Sequence, residues 1–170
     1  DYLFVSAHLP ESWGYSDEDF DEVILAVDKS MSKLHTGNSM VCYVGADANI
    51  QVHSSHGSAA VQSRTHLVDQ RPSNQKHWSF YNWLDKYKLQ LANTKDVPDE
   101  QIQMYRRRKD LPTFPDVHEN WTHVGKHPSG QVVYSQRDFV ASSLSSSVAW
   151  TVFEVDVGSD HKLVACVSPD

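Results

Sequence analysis

The chain has 170 residues, about the length of one domain, so we expect a single core. Its hydrophobic fraction of 39% and its five tryptophans exclude a disordered composition. The net charge of −7 argues against nucleic-acid binding by overall basicity, because such binding rests on lysine and arginine neutralising phosphates. Any phosphate chemistry must therefore be local or metal-assisted.

The first 50 residues predict a strand, a helix and a second strand. Residues 3–8 form an apolar run of strand length that is followed by Pro10. From Ser16, a residue type that caps helices, apolar side chains recur at helical spacing over residues 16–34. Residues 40–46 form another apolar run of strand length.

The remainder predicts a loop, a second helix, an exposed connection and then strands. Residues 53–74 are polar and without a period, which indicates a loop, whereas 78–91 again have helical spacing. Residues 95–115 contain RRRK and several prolines, and we expect an exposed connection there. The runs NWTHVG, QVVYSQRDFVAS, VAWTVFEV and KLVACV then predict four successive strands.

These elements predict an α/β (α+β) fold in one domain over residues 1–170, with mainly antiparallel sheets covered by helices. Cys42 and Cys166 lie in apolar runs, and two such cysteines do not make a disulfide framework. We therefore expect reduced thiols and an intracellular protein of the nucleus or cytoplasm. The sequence has no apolar run of about 18 residues, so we expect no membrane partner. The tryptophans are most simply core residues.

Polar residues recur where apolar runs end or are interrupted. Strand ends lie on a rigid scaffold and face solvent, so convergent catalytic groups are often built there. If the strands pair in register, six such side chains gather at one rim: His8, Asp47, Asn49, Asp138, Asp160 and His161.

Several of these segments resemble motifs of the endonuclease/exonuclease/phosphatase (DNase I-like) superfamily, and of its retrotransposon-type endonucleases in particular. GADAN at 45–49 resembles the Gly-Asp-x-Asn signature with Ala46 inserted, and SDHK at 159–162 resembles the closing Ser-Asp-His motif. RDFVASS, FVSAHLP, NWTHVG and LQLANT resemble further segments of that family in the same order, so the resemblance covers nearly the whole chain.

The resemblance implies a two-sheet sandwich and Mg²⁺- or Mn²⁺-dependent hydrolysis of phosphodiesters, with nucleic acid as partner and DNA favoured over RNA. In the family, the residue matching Asp47 orients or deprotonates the attacking water, and the one matching Asn49 holds that water or a phosphate oxygen. His161 would donate to a phosphate oxygen as imidazolium, with Asp138 or Asp160 keeping it charged. His8 would contact the phosphate directly.

The chain departs from the family pattern at its beginning. Family members have an earlier strand ending in Asn and another bearing the Glu that binds Mg²⁺, and we expect these N-terminal strands to be missing here. Asp160, Asp47 and Asn49 would then be the metal ligands that remain, although a hard cation needs several oxygens. We therefore expect the isolated 170 residues to bind Mg²⁺ weakly, to be nearly inactive, and to have an open sheet edge.

Alternatives remain at several positions. Thr122 is either a simple strand residue or a support for the site, and Arg106 and Arg107 either bind the substrate backbone or are only solvated. The pair His53 and His56, in HSSH, lacks the second pair that zinc sites usually have. A single Asp or Asn at a strand end is, taken alone, more often a turn-former than a catalyst, whereas Asp47 and Asn49 together within the ordered set of motifs favour catalysis.

Other functions also fit the sequence. The same scaffold serves inositol phosphate phosphatases, sphingomyelinases and RNA deadenylases, and this chain has SQRDF where inositol 5-phosphatases have Trp-Cys-Asp-Arg. A non-catalytic fragment that only binds a partner is the alternative outside enzymes.

Overall fold

A computed structural model describes most of the chain. The described residues are 1–10, 15–34, 40–50, 75–94, 97–115, 121–126, 128–156 and 158–168. The predicted loop at 53–74, the HSSH pair and Trp13 lie outside them. Within the described ranges, no helix is both long and apolar enough to cross a membrane.

Strands and helices follow one another along the chain with the helices in the first two thirds. The elements are β1 (Tyr2–His8), α1 (Asp17–Leu34), β2 (Val41–Asp47), α2 (Gln75–Lys86), β3 (Gln90–Leu91), a 3-10 turn (Ala92–Thr94), α3 (Asp99–Arg107), β4 (His123–Lys126), β5 (Val132–Ser135), β6 (Asp138–Ser142), β7 (Val148–Val152) and β8 (Leu163–Val167). The predicted mixture of helices with mainly antiparallel strands is confirmed.

The largest sheet has four strands in the order β1-β2-β6-β3. β1 and β2 are parallel, whereas β6 is antiparallel to both β2 and β3. β4 pairs with β5, and β7 pairs with β8, both antiparallel. A bridge between His123 and His161 joins β4 to the residues just before β8, with Lys162 N–H donating to the Thr122 carbonyl at 2.7 Å.

One face of the four-stranded sheet packs against α1 and α2. Burial alternates along β2, where Cys42, Val44 and Ala46 point inward, as the period of two in a strand requires. Phe20 of α1 and Phe80 of α2 fill the same cluster. α1 begins where predicted, because Ser16 and Asp19 exchange the hydrogen bonds of a capping box.

A second core cluster overturns the predicted exposed connection at 95–115. α3 lies within that segment, and its Ile102 and Tyr105 are buried with Phe114 against Trp150 of β7. The rings of Phe114 and Trp150 have centroids 5.0 Å apart. Prolines and basic residues therefore lie at the ends and on the outer face of this helix. Its apolar side chains pack against β7, which is distant in the sequence.

Two predicted elements have different bounds. The helix predicted at 78–91 begins at Gln75 and ends at Lys86, because Lys88 takes a φ of +54° and starts a C-terminal cap. In that cap the Leu89 amide donates to the Leu84 carbonyl at 2.9 Å, and the chain then enters β3. The run QVVYSQRDFVAS is two strands, β5 and β6, rather than one.

The predicted core tryptophans divide by position. Trp83 and Trp150 are buried, as expected, but Trp78 is 45% exposed on α2, so that prediction was wrong for it. Cys42 is buried and Cys166 half-buried, and both are free thiols. On β1, which among the described strands pairs with β2 alone, Tyr2 and Phe4 are exposed and stack with Tyr43.

Candidate active site

Strand register brings three of the predicted site residues to one edge of the large sheet. His8 is opposite Asp47 in the β1–β2 pair, and Asp47 is opposite Asp138 in the β2–β6 pair. The Ala48 amide donates to the Arg137 carbonyl at 2.9 Å and continues the pairing beyond the strand ends. Three polar side chains therefore lie in register at the same edge of the sheet, at the last residues of β1 and β2 and at the first residue of β6.

His161 reaches this edge from the turn before β8. Gly158 takes a φ of +67°, which glycine adopts without steric cost, and the Ser159 hydroxyl accepts from the His161 amide at 3.1 Å. The imidazole Nδ1 lies 2.9 Å from Oδ2 of Asp138. Since an ionised carboxylate only accepts hydrogen bonds, Nδ1 is the donor. The turn thus aims the imidazole at the acid of β6.

The titratable side chains at this edge lie close together. Nδ1 of His161 lies 3.9 Å from Oδ2 of Asp47, and Nε2 of His8 lies 3.4 Å from the same oxygen. The side chain of His8 is 75% exposed, whereas those of Asp47 and Asp138 are about four-fifths buried, at 20% and 19% exposed. The structure therefore brings together four of the six predicted catalytic residues.

The surroundings raise the pKa values of both Asp47 and His161. Burial raises the pKa of Asp47 and the nearby charge of Asp138 raises it further, against smaller lowering effects of His161 and of the Asn49 amide. Burial alone lowers the pKa of His161, but the hydrogen bond to Asp138 and the charges of Asp138 and Asp47 outweigh it, so that pKa is raised. Asp47 is thus a stronger base than a free aspartate, and His161 holds its proton more firmly.

Asn49 supports the edge from within. It is buried and has a φ of +48°, its side-chain Nδ2 donates to the Leu9 carbonyl at 2.8 Å, and its backbone amide donates to Oδ1 of Asp47 at 3.2 Å. The side-chain amide, which was expected to hold water or a phosphate oxygen, therefore fixes the chain after β1. The backbone amide fixes the direction of the Asp47 carboxylate.

Thr122 and Asn93 position Asp138 through its backbone. Oγ1 of the fully buried Thr122 accepts from the amides of Arg137 and Asp138 at 2.9 and 3.0 Å, so this residue supports the site. The side-chain amide of Asn93 donates to the Asp138 carbonyl at 2.9 Å. Asn93 was not predicted as a site residue, although an Asn directly after the segment LQLA was a usable signal.

Asp160 is turned toward a histidine that the sequence interpretation left out. Its Oδ2 lies 3.5 Å from Nε2 of the buried His123, and its own side chain is 65% exposed. Of the two acids proposed to hold His161, Asp138 is the one in direct contact. Burial lowers the pKa of His123, and the charges of Arg137 and His161 lower it further.

The two arginines predicted to bind substrate lie on α3. Nε of Arg106 donates to the Phe114 carbonyl at 3.2 Å, and its Nη2 donates to the Pro115 carbonyl at 3.1 Å. This side chain thus closes the segment that follows α3. Arg107 is exposed.

The acids also bear on metal binding. Ligand atoms of Asp47, Asp138 and His161 lie within 4.8 Å of one another, and a second group, which shares His161, consists of His123, Asp160 and His161. Mg²⁺ is commonly held by one or two carboxylates with water completing its shell, and two largely buried acids side by side fit such a cation. Of the three predicted metal ligands, Asp47 lies beside Asp138 in the first group and Asp160 belongs to the second.

A scan against models of protein families and a search among curated proteins found no match to this chain. Its chemistry is therefore inferred from the geometry of the site and from the motifs in its sequence.

Proposed function

We propose that this protein is a divalent-cation-dependent phosphodiesterase of the DNase I-like type, acting on DNA as an endonuclease. The observation that carries the proposal is the 2.9 Å bond between His161 and Asp138 beside Asp47. A phosphodiester hydrolase needs a group that activates water and donors that stabilise charge on the phosphoryl oxygens. This edge of the sheet supplies both.

Asp47 takes the role of orienting the attacking water and accepting its proton. A general base works best when its pKa lies close to the working pH, and burial together with Asp138 shifts the pKa of Asp47 upward in that direction. The Asn49 amide holds one carboxylate oxygen, so the other, Oδ2, is the one that faces the histidines.

His161 takes the role of phosphate donor. Asp138 engages its Nδ1, which fixes the ring and leaves Nε2 for a phosphoryl oxygen, and the carboxylate stabilises the imidazolium. His8 is exposed at the same edge and provides a second imidazole for the phosphate. These two imidazoles are the donors that this edge offers to a phosphate in a chain with a net charge of −7.

A bound Mg²⁺ or Mn²⁺ would be held by Asp47 and Asp138, and it would neutralise phosphate charge when present. The two carboxylates are otherwise an obstacle to an anionic substrate. His161 and the cation would then share the task of offsetting them.

The test is nicking of supercoiled plasmid DNA with Mg²⁺, using the 170 residues and also any natural sequence that precedes them. We expect Asp47→Ala and His161→Ala to remove nearly all nicking while leaving the circular dichroism spectrum unchanged. Asp99→Ala, an exposed acid in the first turn of α3, is the matched control and should nick like the parent.

Unaltered nicking in both site variants would refute the assignment. Activity on an inositol phosphate, sphingomyelin or RNA in the same buffer, without nicking of DNA, would keep the hydrolytic site but change the substrate class.

A further inference from the structure

The second histidine–acid group, at His123 and Asp160, is not used by the proposed hydrolysis. Antiparallel bridging sets His123 of β4 directly beside His161, and the Val124 amide donates to the Asp160 carbonyl at 3.0 Å. The two imidazole rings have centroids 4.8 Å apart and meet edge to face. Backbone pairing therefore fixes two imidazoles and one carboxylate side by side.

We propose that His123, Asp160 and His161 bind a borderline transition-metal ion, with Zn²⁺ the expected ion, at a site separate from the Asp47–Asp138 pair. Two imidazoles and one carboxylate are a donor set that zinc favours over magnesium. Three protein ligands with a fourth position for water are the pattern of open zinc sites. This inference concerns ion binding and does not depend on phosphodiester hydrolysis.

The spacing of the donor atoms fits such an ion. Ligands of a tetrahedral zinc ion at about 2.0–2.1 Å lie about 3.4 Å from one another. Nε2 of His123 and Oδ2 of Asp160 are 3.5 Å apart. A ring nitrogen of His161 completes a set of three donor atoms that all lie within 4.8 Å of one another.

Both histidines have the outer hydrogen bonds typical of zinc ligands. Nδ1 of His161 donates to Asp138, and Nδ1 of His123 lies 3.1 Å from the hydroxyl of the buried Ser135. Such bonds fix the ring and its tautomer and leave Nε2 for the metal. Each ring is therefore already oriented by a group that is not itself a ligand.

Gly125 leaves room for the His123 ring. It lies two residues further along β4, on the same face, and a Cβ atom there would stand 3.1 Å from Cε1 of His123. That is closer than ordinary contact, so a side chain at this position would require the ring to shift by a few tenths of an ångström. Glycine at this position therefore lets the His123 ring keep its place beside Asp160.

Zinc bound at this group would affect the proposed hydrolysis through His161. An imidazole that ligates zinc through Nε2 has no proton to give to a phosphate there. Bound Zn²⁺ would therefore inhibit a hydrolase that uses His161 as an imidazolium. Mg²⁺, which prefers oxygen ligands, would not compete for the two imidazoles.

The test is calorimetric titration of the metal-free protein with Zn²⁺ in excess Mg²⁺ and without substrate. We expect one strong zinc site, an affinity at least about 100-fold weaker in Asp160→Ala and His123→Gln, and a loss of about 10- to 100-fold in Ser135→Ala. The matched control is the double variant of His53 and His56 to Gln, which should keep the strong site. Because Asp160 is exposed, we expect Asp160→Ala to fold, so it tests the zinc site even if a change at buried His123 prevents folding.

Unchanged zinc affinity in Asp160→Ala would overturn the proposal, as would its loss in the His53 and His56 double variant alone. Substitution of Co²⁺ gives an independent readout, because a four-coordinate site shows strong visible absorption. That absorption should vanish in Asp160→Ala and persist in His8→Gln, whose imidazole is outside the group. Zinc binding without any nicking activity would support this site while refuting the proposed hydrolase.

Discussion

Two histidine–acid pairs lie side by side in this protein and behave in opposite ways. His161 bonds to Asp138 at 2.9 Å, and its pKa is raised, whereas His123 lies 3.5 Å from Asp160 and its pKa is lowered. The residue types are the same, but Asp138 is largely buried and Asp160 is 65% exposed. A buried, hydrogen-bonded carboxylate therefore holds an imidazolium, while a solvated one does not offset burial of the ring.

The largest effect expected from this difference is on catalysis. Asp138→Asn should reduce nicking about 100- to 10,000-fold, the usual contribution of acid–base groups, because His161 loses the carboxylate that keeps it charged. Asp160→Asn should reduce nicking far less than Asp138→Asn, because Asp160 is 65% exposed and lies beside His123, whereas His161 is hydrogen-bonded to Asp138. Initial nicking rates at saturating Mg²⁺ measure both. Equal losses of nicking in the two variants would contradict the proposal that Asp138, and not Asp160, keeps His161 charged.

A smaller effect, on folding stability, is expected from Thr122, which positions the backbone of Asp138. Thr122→Val removes the buried hydroxyl that accepts from the Arg137 and Asp138 amides, so it should destabilise the fold by about 1–3 kcal/mol. Thr122→Ser keeps the hydroxyl and is the control. Urea unfolding of the two variants beside the parent gives the difference, and a valine variant as stable as the serine variant would contradict the proposed support.

The smallest effect is on titration. By NMR, His161 should titrate above the ordinary value of about 6.5 and His123 below it. The stability that His161 contributes is then present below its unfolded pKa and lost as pH rises through its raised folded pKa. For His123 the sign is reversed, because its stability is present above its unfolded pKa and lost as pH falls through the lowered folded pKa.

Nicking should follow the same signs, falling as pH rises through the pKa of His161 and as it falls through the raised pKa of Asp47. In Asp138→Asn the pKa of His161 should move down, and the alkaline limb with it. A His161 that titrates below His123 in the parent protein would show that the pairs have been assigned the wrong way round.

The sequence predicted the parts of this site that local pattern controls. Apolar runs at residues 3–8 and 40–46 indicated two strands, so their polar ends His8 and Asp47 could be placed in advance. The helix over 16–34 was recognisable from its cap and its spacing. These features depend on neighbours along the chain.

The parts that were missed depend on distant partners. α3 is a helix because Ile102 and Tyr105 pack against Trp150, which lies far away in the sequence. His123 looked like an ordinary strand residue, and only the bridge to His161 brings it to Asp160. The break between β5 and β6 likewise reflects where Thr122 accepts the Arg137 and Asp138 amides.

The most direct test of the account is a crystal structure of the protein with Mg²⁺ and a short phosphorothioate DNA that resists cleavage. We expect a phosphoryl group at the strand-end cluster, with one oxygen within about 3 Å of a His161 nitrogen and Asp47 beside the phosphorus. DNA bound on another surface, with His161 and Asp47 touching only solvent, would contradict the central claim.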